Sequence, residues 1–475
     1  MSSNRIVINS LTLWYWLFHF PSAIVTWFES EENLYNCLDL LLRISQILFV
    51  DMDTNKIESL DSELVQASKK IRVLKALEWP LNSDEAFLQS WRKGNPLLPE
   101  VNRSPQNLDG SITTLDSITA RCNQQDPVEK YLAETAQSYA DSARMLSNIG
   151  TTEFTRYATK IYGRPDTIYK LHGMSAVDSA KYFLQVTDAL LGNVHLPPTP
   201  TDISSHDFAG WLKTEVDEFF DHDTVEVVVD HNMSSKALAG ATRIRVRGNA
   251  LFSQLDKDQL LYHEAFVHTA TILNGKKQLN LKSLGLGAPR TTRTQEGIAV
   301  IAELITNAMD INRLRRIALR VIAVKQALDG ADFIEVFKFF LDAGQTEEES
   351  VRSAQRIFRG GDVKGGVVFT KDAVYLQGLL EVHTFMRIAI RDNRPDLIRN
   401  LFAGRLTIAD ALRLSPLFEN GWLSPPAYLP GWASDLRRLA AMMAYSAFIS
   451  NIKLDKVYLE RAIELEDEIK LSEQD

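Results

Sequence analysis

The stretch HEAFVH, from His263 to His268, contains side chains that could bind a metal ion and use it in hydrolysis. Two neutral imidazoles can hold zinc, and a carboxylate next to them can take a proton from water. In the common helical form of this motif the two histidines are four residues apart and share one face. Here they are five residues apart, and an ideal α-helix would point the second side chain about 140° away from the first.

A π-bulge would bring His263 and His268 onto one face, because it adds about one residue to a helical turn and is frequent at functional sites. The spacing then predicts a helix over 256–273 with a bulge within Glu264–Val267. Two alternatives remain open. In a regular helix Glu264 and His268 would be aligned, and Glu264 would be a ligand rather than a base. The histidines could also belong to an ordinary amphipathic helix that binds no metal.

A carboxylate that could complete the site lies downstream, in RTQEGIAVIAELITNAM. Thr294 can cap a helix whose first turn contains Glu296, and a carboxylate there is a natural third ligand. Glu303, two turns further along the same face, could orient a histidine. Each acid also has a simpler interpretation, Glu296 as a residue favoured by the helix dipole and Glu303 as an exposed helical carboxylate. For Glu303 we favour the simpler interpretation.

The pattern around these motifs is mostly helical. Apolar residues at helical spacing predict helices over 57–80, 127–148 and 174–192, and helical periodicity dominates from Gln295 onwards. The Pro-, Thr- and Ser-rich segment LPPTPTDIS, residues 196–204, predicts a domain boundary. The chemistry-bearing residues therefore all fall in the region after this boundary.

Composition excludes some classes of protein. The net charge of −9 and the absence of a long Lys/Arg run argue against a nucleic-acid-binding protein. The two cysteines, Cys37 and Cys122, are far apart, so they form neither a disulfide framework nor a cysteine zinc site. This cysteine usage fits a reducing compartment, and we expect a cytoplasmic location.

The N-terminal segment Leu11–Phe28 contains no Asp, Glu, Lys or Arg and is just long enough to be considered as a membrane span. His19 and Pro21 near its middle argue against that role. A signal peptide with Arg5 as its basic part is an alternative, but no convincing cleavage site follows. We favour a packed extension, or a true start at Met52, over membrane contact of residues 11–28.

HEAFVH followed by TQEGIA resembles the QEGLA-motif family of zinc metallopeptidases, whose bacterial members are described as flavohaemoglobin expression-modulating proteins. Eukaryotic relatives include the microtubule-associated tyrosine carboxypeptidase, which trims the C-terminal tyrosine of α-tubulin. Ile298 stands where the named motif has Leu. The resemblance implies His263, His268 and Glu296 as ligands of one zinc ion and Glu264 as the catalytic base. It also includes the stretches KALEWP, RIFRGG and FTKDAVYLQGLLEVHTF.

A carboxypeptidase also needs a cation for the terminal carboxylate of its substrate and a donor for the oxyanion. Tyr375 is the candidate oxyanion donor. For each candidate the simpler interpretation is a surface cation or a core aromatic residue, and His383 is more simply explained as a core histidine. The candidate substrate-binding cations are Arg290 and Arg293 in PRTTRT, Arg356 and Arg359 in RIFRGG, and Lys371 in FTKDAVY.

Two short β-rich stretches, VEVVVD at 225–230 and TRIRVR at 242–247, precede the HEAFVH helix and predict a small sheet. TRIRVR alternates apolar and arginine side chains. Peptidases of the zincin type often bind an extended substrate along an edge strand before the zinc helix, so one interpretation is that TRIRVR pairs with the substrate and that its arginines attract acidic peptides. The alternative is an exposed strand face with no ligand.

These observations predict a predominantly helical α+β protein with a small antiparallel sheet before the zinc helix and a zincin-like core. The domains would be an N-terminal extension (1–51), a helical region (52–195) and the catalytic domain (205–475). The expected function is zinc-dependent peptide-bond hydrolysis. The resemblance alone implies that the enzyme is a carboxypeptidase, with the C terminus of a peptide or protein as substrate. The alternative is a metal-binding regulatory or scaffold protein without peptidase turnover.

Overall fold

The computed structural model describes residues 53–449, except 81, 102–103, 170–172, 192–198 and 234. Contacts between residues divide the chain into two compact units, Met1–Lys56 and Ile57–Asp475. The predicted extension over 1–51, with its apolar segment Leu11–Phe28, lies outside the described residues. Residues 196–198 of the predicted boundary segment also lie outside them, so the division into 52–195 and 205–475 stays a prediction.

Helices make up most of the described chain, and the strands are confined to residues 203–252. The strands are β1 (Ile203–Ser204), β2 (Glu226–Asp230), β3 (Ala237–Leu238), β4 (Arg243–Arg247) and β5 (Leu251–Phe252). A π-helix spans Leu261–Thr269, and short 3-10 helices span Lys282–Gly285, Pro289–Thr291 and Thr370–Ala373. The α-helices are α1 (Thr54–Ser68), α2 (Val73–Ala76), α3 (Ser83–Arg92), α4 (Asp109–Arg121), α5 (Pro127–Ser147), α6 (Thr152–Tyr162), α7 (Ala176–Leu191), α8 (Ser205–Phe219), α9 (Gln254–Leu260), α10 (Ala270–Lys277), α11 (Thr292–Ile305), α12 (Ile311–Leu328), α13 (Phe333–Asp342), α14 (Glu347–Phe358), α15 (Val374–Arg391), α16 (Asp396–Asn400), α17 (Ile408–Arg413), α18 (Ser415–Glu419), α19 (Gly431–Ser434) and α20 (Leu436–Ile449).

The predicted helices over 127–148 and 174–192 are confirmed as α5 and α7. The predicted helix over 57–80 is wrong in its second half, because α1 ends at Ser68 and only the short α2 follows. Its apolar periodicity continues across the break, so periodicity alone could not reveal the end of α1. Among the described residues, no helix combines the length and the apolar character that crossing a membrane requires.

The sheet before the candidate metal helix is mixed rather than antiparallel. Within the described residues its strand order is β2-β4-β3, with β4 parallel to β2 and antiparallel to β3. The chain reverses direction between β2 and β3 and again between β3 and β4, so β4 runs in the same direction as β2. It lies between β2 and β3 in the sheet. The prediction that TRIRVR forms an edge strand for the substrate is therefore wrong, because both sides of β4 already pair with other strands.

The alternation predicted for TRIRVR is confirmed. Ile244 and Val246 are fully buried, in a core shared with α8 and the π-helix. On the other face, Arg243 pairs with Glu226 and Arg245 pairs with Asp230, both on the neighbouring strand β2. These acids neutralise much of the positive charge that we expected to attract acidic peptides.

Helices α11 and α15 pack closely against each other and hold the middle of the molecule together. Glycine is required at their contact, since a Cβ atom on Gly297 would lie 2.3 Å from the carbonyl oxygen of Gly378. Around this contact, Val267 of the π-helix, Ile298 of α11 and Met386 of α15 are fully buried in one apolar core. This packing fixes the position of α11 relative to the π-helix.

Candidate metal centre

The π-helix Leu261–Thr269 continues α9 and runs into α10 without a break. A capping box between Ser253 and Asp256 starts the continuous helix. The π-type turns bring His263 and His268 onto one face, with their ring centroids 4.8 Å apart. The predicted helical distortion is thus confirmed, and it extends further than the single bulge we expected. The alternative pairing of Glu264 with His268 in a regular helix is excluded.

Glu296 of α11 joins the two histidines. Its Oε2 atom lies 3.4 Å from Nε2 of His263 and 3.6 Å from Nε2 of His268. Among the described residues these three form the group that could hold a metal ion, with one ligand atom from each residue and all within 4.8 Å of one another. The structure therefore brings together the three residues that the sequence suggested, from two separate helices.

Glu296 is the fifth residue of α11, not a first-turn residue. The helix begins at Thr292, after the 3-10 turn Pro289–Thr291, and Thr294 lies inside it. The predicted cap at Thr294 is therefore wrong, and the helix dipole does not explain why a buried carboxylate stands at 296. The carboxylate of Glu296 is instead stabilised by its neighbours, the imidazoles of His263 and His268 and the amine of Lys371.

Glu303 orients His263, contrary to the interpretation that we favoured from the sequence. Its side chain is fully buried, and its Oε1 atom accepts a hydrogen bond from Nδ1 of His263 at 2.6 Å. Arg313 of α12 donates to both oxygens of Glu303. Burial opposes ionisation of Glu303, but Arg313 and His263 outweigh burial and lower the pKa of Glu303 to about 2. A proton on Nδ1 leaves the lone pair of Nε2 directed at the candidate site.

Lys371, predicted as a substrate contact, holds the other oxygen of Glu296. Its Nζ atom donates to Oε1 of Glu296 at 2.8 Å and lies 3.5 Å from the hydroxyl of Tyr375. Burial opposes ionisation of Glu296, but Lys371 and the two imidazoles hold the pKa of Glu296 well below its usual range. The lysine thus keeps the carboxylate charged and turns one oxygen toward the histidines.

The donor set fits a metal ion. The Oε2 atom of Glu296 is buried, and no hydrogen-bond donor reaches it among the described residues. Burial lowers the pKa of His268, which favours the neutral imidazole that a metal requires. An unsatisfied buried carboxylate oxygen is costly, and a cation among Oε2 and the two Nε2 atoms would remove that cost. Two imidazole nitrogens and a carboxylate oxygen could hold a divalent cation such as zinc.

Glu264, the predicted base, is anchored to the end of strand β3. Its Oε2 atom accepts a hydrogen bond from the backbone N–H of Ala239 at 2.9 Å, and its side chain is half-buried. Ala239 directly follows β3, which is an edge strand of the mixed sheet. Glu264 lies next to His263 in the chain and its charge acts on both histidines.

Two of the predicted substrate-binding arginines already hold carboxylates. Arg290 donates to Asp410, at 2.7 and 3.0 Å, and also pairs with Glu134. Arg293 donates to Glu381 at 3.0 Å and to the carbonyl oxygen of Tyr162. These bonds would have to break before either guanidinium could bind a substrate carboxylate.

The other predicted contacts, Arg356, Arg359 and Tyr375, lie around Asp372. Arg356 binds both oxygens of Asp372, at 2.6 and 2.8 Å, and lies 3.4 Å from the hydroxyl of Tyr375. Tyr375 also contacts Lys371, so it belongs to the same hydrogen-bonded group. Burial and the neighbouring charge of Arg356 lower the pKa of Arg359 to about 10. Direct contact of these residues with a substrate stays a prediction.

Three groups at the site escaped the sequence analysis. They are the guanidinium of Arg313, the backbone N–H of Ala239 and the guanidinium of Arg405, whose charge acts on Glu296 and Glu264. None belongs to a motif, and Arg405 lies more than 100 residues after the metal ligands. Only the three-dimensional structure shows that these groups lie at the site.

A comparison with models of protein families gives a match over most of the chain. The family model described as "Microtubule-associated tyrosine carboxypeptidase" matches residues 85–451 of the chain, about three quarters of its length. The chain belongs to the microtubule-associated tyrosine carboxypeptidase family. No curated protein matches the chain significantly.

The region that matches the microtubule-associated tyrosine carboxypeptidase family contains every residue of the candidate centre described above. It begins inside α3 and ends just beyond α20. The related carboxypeptidase family is confirmed. The QEGLA-type zinc chemistry of this chain stays a prediction.

Proposed function

We propose that the chain is a zinc-dependent carboxypeptidase, which hydrolyses the last peptide bond of a peptide or protein. The strongest support is the convergence of His263, His268 and Glu296, whose ligand atoms lie within 4.8 Å of one another inside the family region. Two imidazoles and one carboxylate are a frequent ligand set of catalytic zinc, and this set leaves a position open for water or substrate.

Each residue of the site would have one task. When bound, zinc would polarise the scissile carbonyl and make the attacking water more acidic. Glu303 keeps the proton of His263 on Nδ1, so Nε2 is available as a ligand. Lys371 holds Oε1 of Glu296 and leaves Oε2 facing the imidazoles.

Glu264 would act as the general base. The N–H of Ala239 occupies its Oε2 atom and fixes the plane of the carboxylate, so Oε1 would accept the proton of the attacking water. Glu264 would then deliver this proton to the leaving amine. Lys371 contacts both Oε1 of Glu296 and the hydroxyl of Tyr375, so Tyr375 belongs to the hydrogen-bonded group beside Glu296 and would donate to the developing oxyanion.

The family name suggests the first substrate to test. Because the matching model is that of a microtubule-associated tyrosine carboxypeptidase, we propose that this chain removes a C-terminal tyrosine and that tubulin is a candidate protein substrate. A peptide that ends in tyrosine is therefore the reference substrate for the experiments below.

The decisive experiment incubates the purified, zinc-loaded full chain with a degenerate peptide pool and identifies the products by mass spectrometry. We expect loss of single C-terminal residues, tyrosine foremost, and about one zinc ion per chain by elemental analysis. The control is Glu264→Gln, which should keep its zinc and lose turnover by roughly 10³-fold.

The same experiment distinguishes the alternative, a metal-binding regulatory or scaffold protein. Stoichiometric zinc without turnover of any peptide would favour that alternative over the hydrolase. Absence of zinc after gentle purification, together with no gain of activity on adding zinc, would contradict both.

A further inference from the structure

Arg405 differs from the other buried arginines around the candidate centre. It lies in the turn between α16 and α17, where its backbone N–H donates to the carbonyl oxygen of Leu284 at 2.8 Å. Its side chain is mostly buried, and its Nε atom has no hydrogen-bond partner among the described residues. No ion pair with Arg405 is formed within the described part of the chain.

The charges that act on Arg405 belong to the candidate centre. The carboxylates concerned are those of Glu296, the proposed metal ligand, and Glu264, the proposed base. Arg405 is bonded to neither, because Lys371 holds Glu296 and the N–H of Ala239 holds Glu264. The charges of Glu296 and Glu264 therefore act on the guanidinium of Arg405 without a direct bond to it. Among the described residues, no carboxylate accepts a hydrogen bond from this guanidinium.

Uncharged groups of the chain lie next to the guanidinium of Arg405. On one side stands Gly287, where a Cβ atom would lie only 3.2 Å from Nη1 of Arg405. The hydroxyl of Tyr139, on the buried face of α5, is also within reach of its charge. Neither of these neighbours carries a negative charge that could pair with the guanidinium.

A buried guanidinium without an acceptor is costly, so proteins rarely keep one unless something binds to it. Arg290, Arg293 and Arg356 each hold a carboxylate of the chain. A guanidinium has a planar pair of N–H groups that matches a carboxylate, and such bidentate contacts are among the strongest hydrogen bonds in proteins. A free carboxylate from outside the chain has the charge and the geometry to pair with the guanidinium of Arg405.

We propose that Arg405 binds the terminal α-carboxylate of the substrate and so restricts cleavage to the last peptide bond. This inference rests on the proposed carboxypeptidase function and assigns the specificity of that same site to one residue. In a longer peptide that extended past the site, a neutral peptide group would face the guanidinium instead of a charge, and binding would be weaker.

The test compares two peptides that are identical except for the last group, a free carboxylate or a carboxamide. Both are offered to the zinc-loaded full chain as wild type, Arg405→Ala and Arg405→Gln, with Arg387→Ala as the control of an exposed arginine on α15. We expect the Arg405 variants to lose about 10- to 100-fold in kcat/KM on the free acid, since hydrogen bonds to charged groups are involved. Cleavage of the carboxamide should change little, and Arg387→Ala should behave as wild type.

A binding arm measures the same preference without turnover. Calorimetry with Glu264→Gln, alone and combined with Arg405→Gln, gives Kd for the two peptides. We expect Glu264→Gln to bind the free acid about 10- to 100-fold more tightly than the carboxamide, and the double variant to bind both equally.

The outcomes separate the two proposals. If the wild type cleaves neither peptide, the proposed function fails, while the binding arm still decides the role of Arg405. If the wild type cleaves the free acid and the Arg405 variants lose activity equally on both peptides, or on neither, the role of Arg405 is overturned and the proposed function stands. If Arg405→Ala does not fold, Arg405→Gln decides, because an unchanged acid-to-amide ratio in this neutral variant contradicts the proposal.

Discussion

The candidate metal ligands and the arginines around them differ in how well the sequence predicts their roles. His263, His268 and Glu296 converge in the structure as their motifs suggested, and the supporting bonds from Glu303 and Lys371 are buried. The arginines chosen from sequence are mostly engaged by carboxylates of the chain, whereas Arg405, which no motif marks, has none. A ligand set is recognisable from residue types at short spacing, but the role of a cation depends on which acid reaches it.

The difference has a physical origin. The candidate ligands lie on one face of the π-helix and on the neighbouring α11, and helix geometry limits where partners on the same helix can be. A guanidinium on a long side chain can satisfy its charge with any acid within several ångströms, from any part of the fold. The following variants test whether the two groups of residues really have these separate roles.

The largest effect is expected from His268→Ala. Loss of one of three ligands should lower zinc affinity by roughly 10³-fold, more than the roughly 100-fold that removal of an outer partner costs. Turnover should be lost with the metal. Zinc titration against a competing chelator measures the change, with His383→Ala as the matched control on α15. Equal zinc affinity of the two variants would contradict the ligand role of His268.

Arg290→Met should affect stability rather than catalysis. Asp410 is fully buried, and removal of its partner should cost about 3 kcal/mol, at the low end of the range for broken buried pairs because Arg413 also contacts Asp410. Urea unfolding measures the loss. We expect the folded variant to keep its acid-to-amide preference. If Arg290→Met left stability unchanged and abolished that preference, Arg290 and not Arg405 would be the carboxylate-binding residue.

Glu303→Gln should weaken zinc binding by about 10- to 100-fold, because the neutral amide orients His263 less firmly and leaves the charge of Arg313 unpaired. The exposed Glu58→Gln on α1 is the control. The measurement is again a chelator competition. Wild-type zinc affinity in Glu303→Gln would show that the bond to Nδ1 of His263 has no influence on the metal.

The smallest effect is expected from Arg243→Ala on β4. Its ion pair with Glu226 is exposed on both sides, each side chain being 57% accessible, so removal should cost less than about 1 kcal/mol. Turnover of an acidic peptide should not change if the arginine face of β4 has no substrate role. A selective loss on acidic peptides, against unchanged turnover of neutral ones, would restore the role that we first expected for TRIRVR.

The amino-acid sequence by itself pointed to the candidate ligands, the candidate base and the helical distortion. Two histidines five apart can share a face only if the helix adds a residue to its turn, so the π-helix Leu261–Thr269 was predictable in kind once both histidines were taken as ligands of one ion. The strands β2 and β4 and the helices α5 and α7 were predictable as well, because their apolar periodicity is local.

Only the tertiary structure decided the order of the strands, the burial of Glu303 and the partners of the charged residues. Nothing in TRIRVR shows that β4 is central, since an edge strand with one buried face has the same alternation. Nothing around Glu303 in the sequence names Arg313 or His263 as its partners. Charges are satisfied by groups that are distant along the chain, and their energies depend on burial, so roles such as those of Lys371 and Arg405 emerge only when the fold is complete.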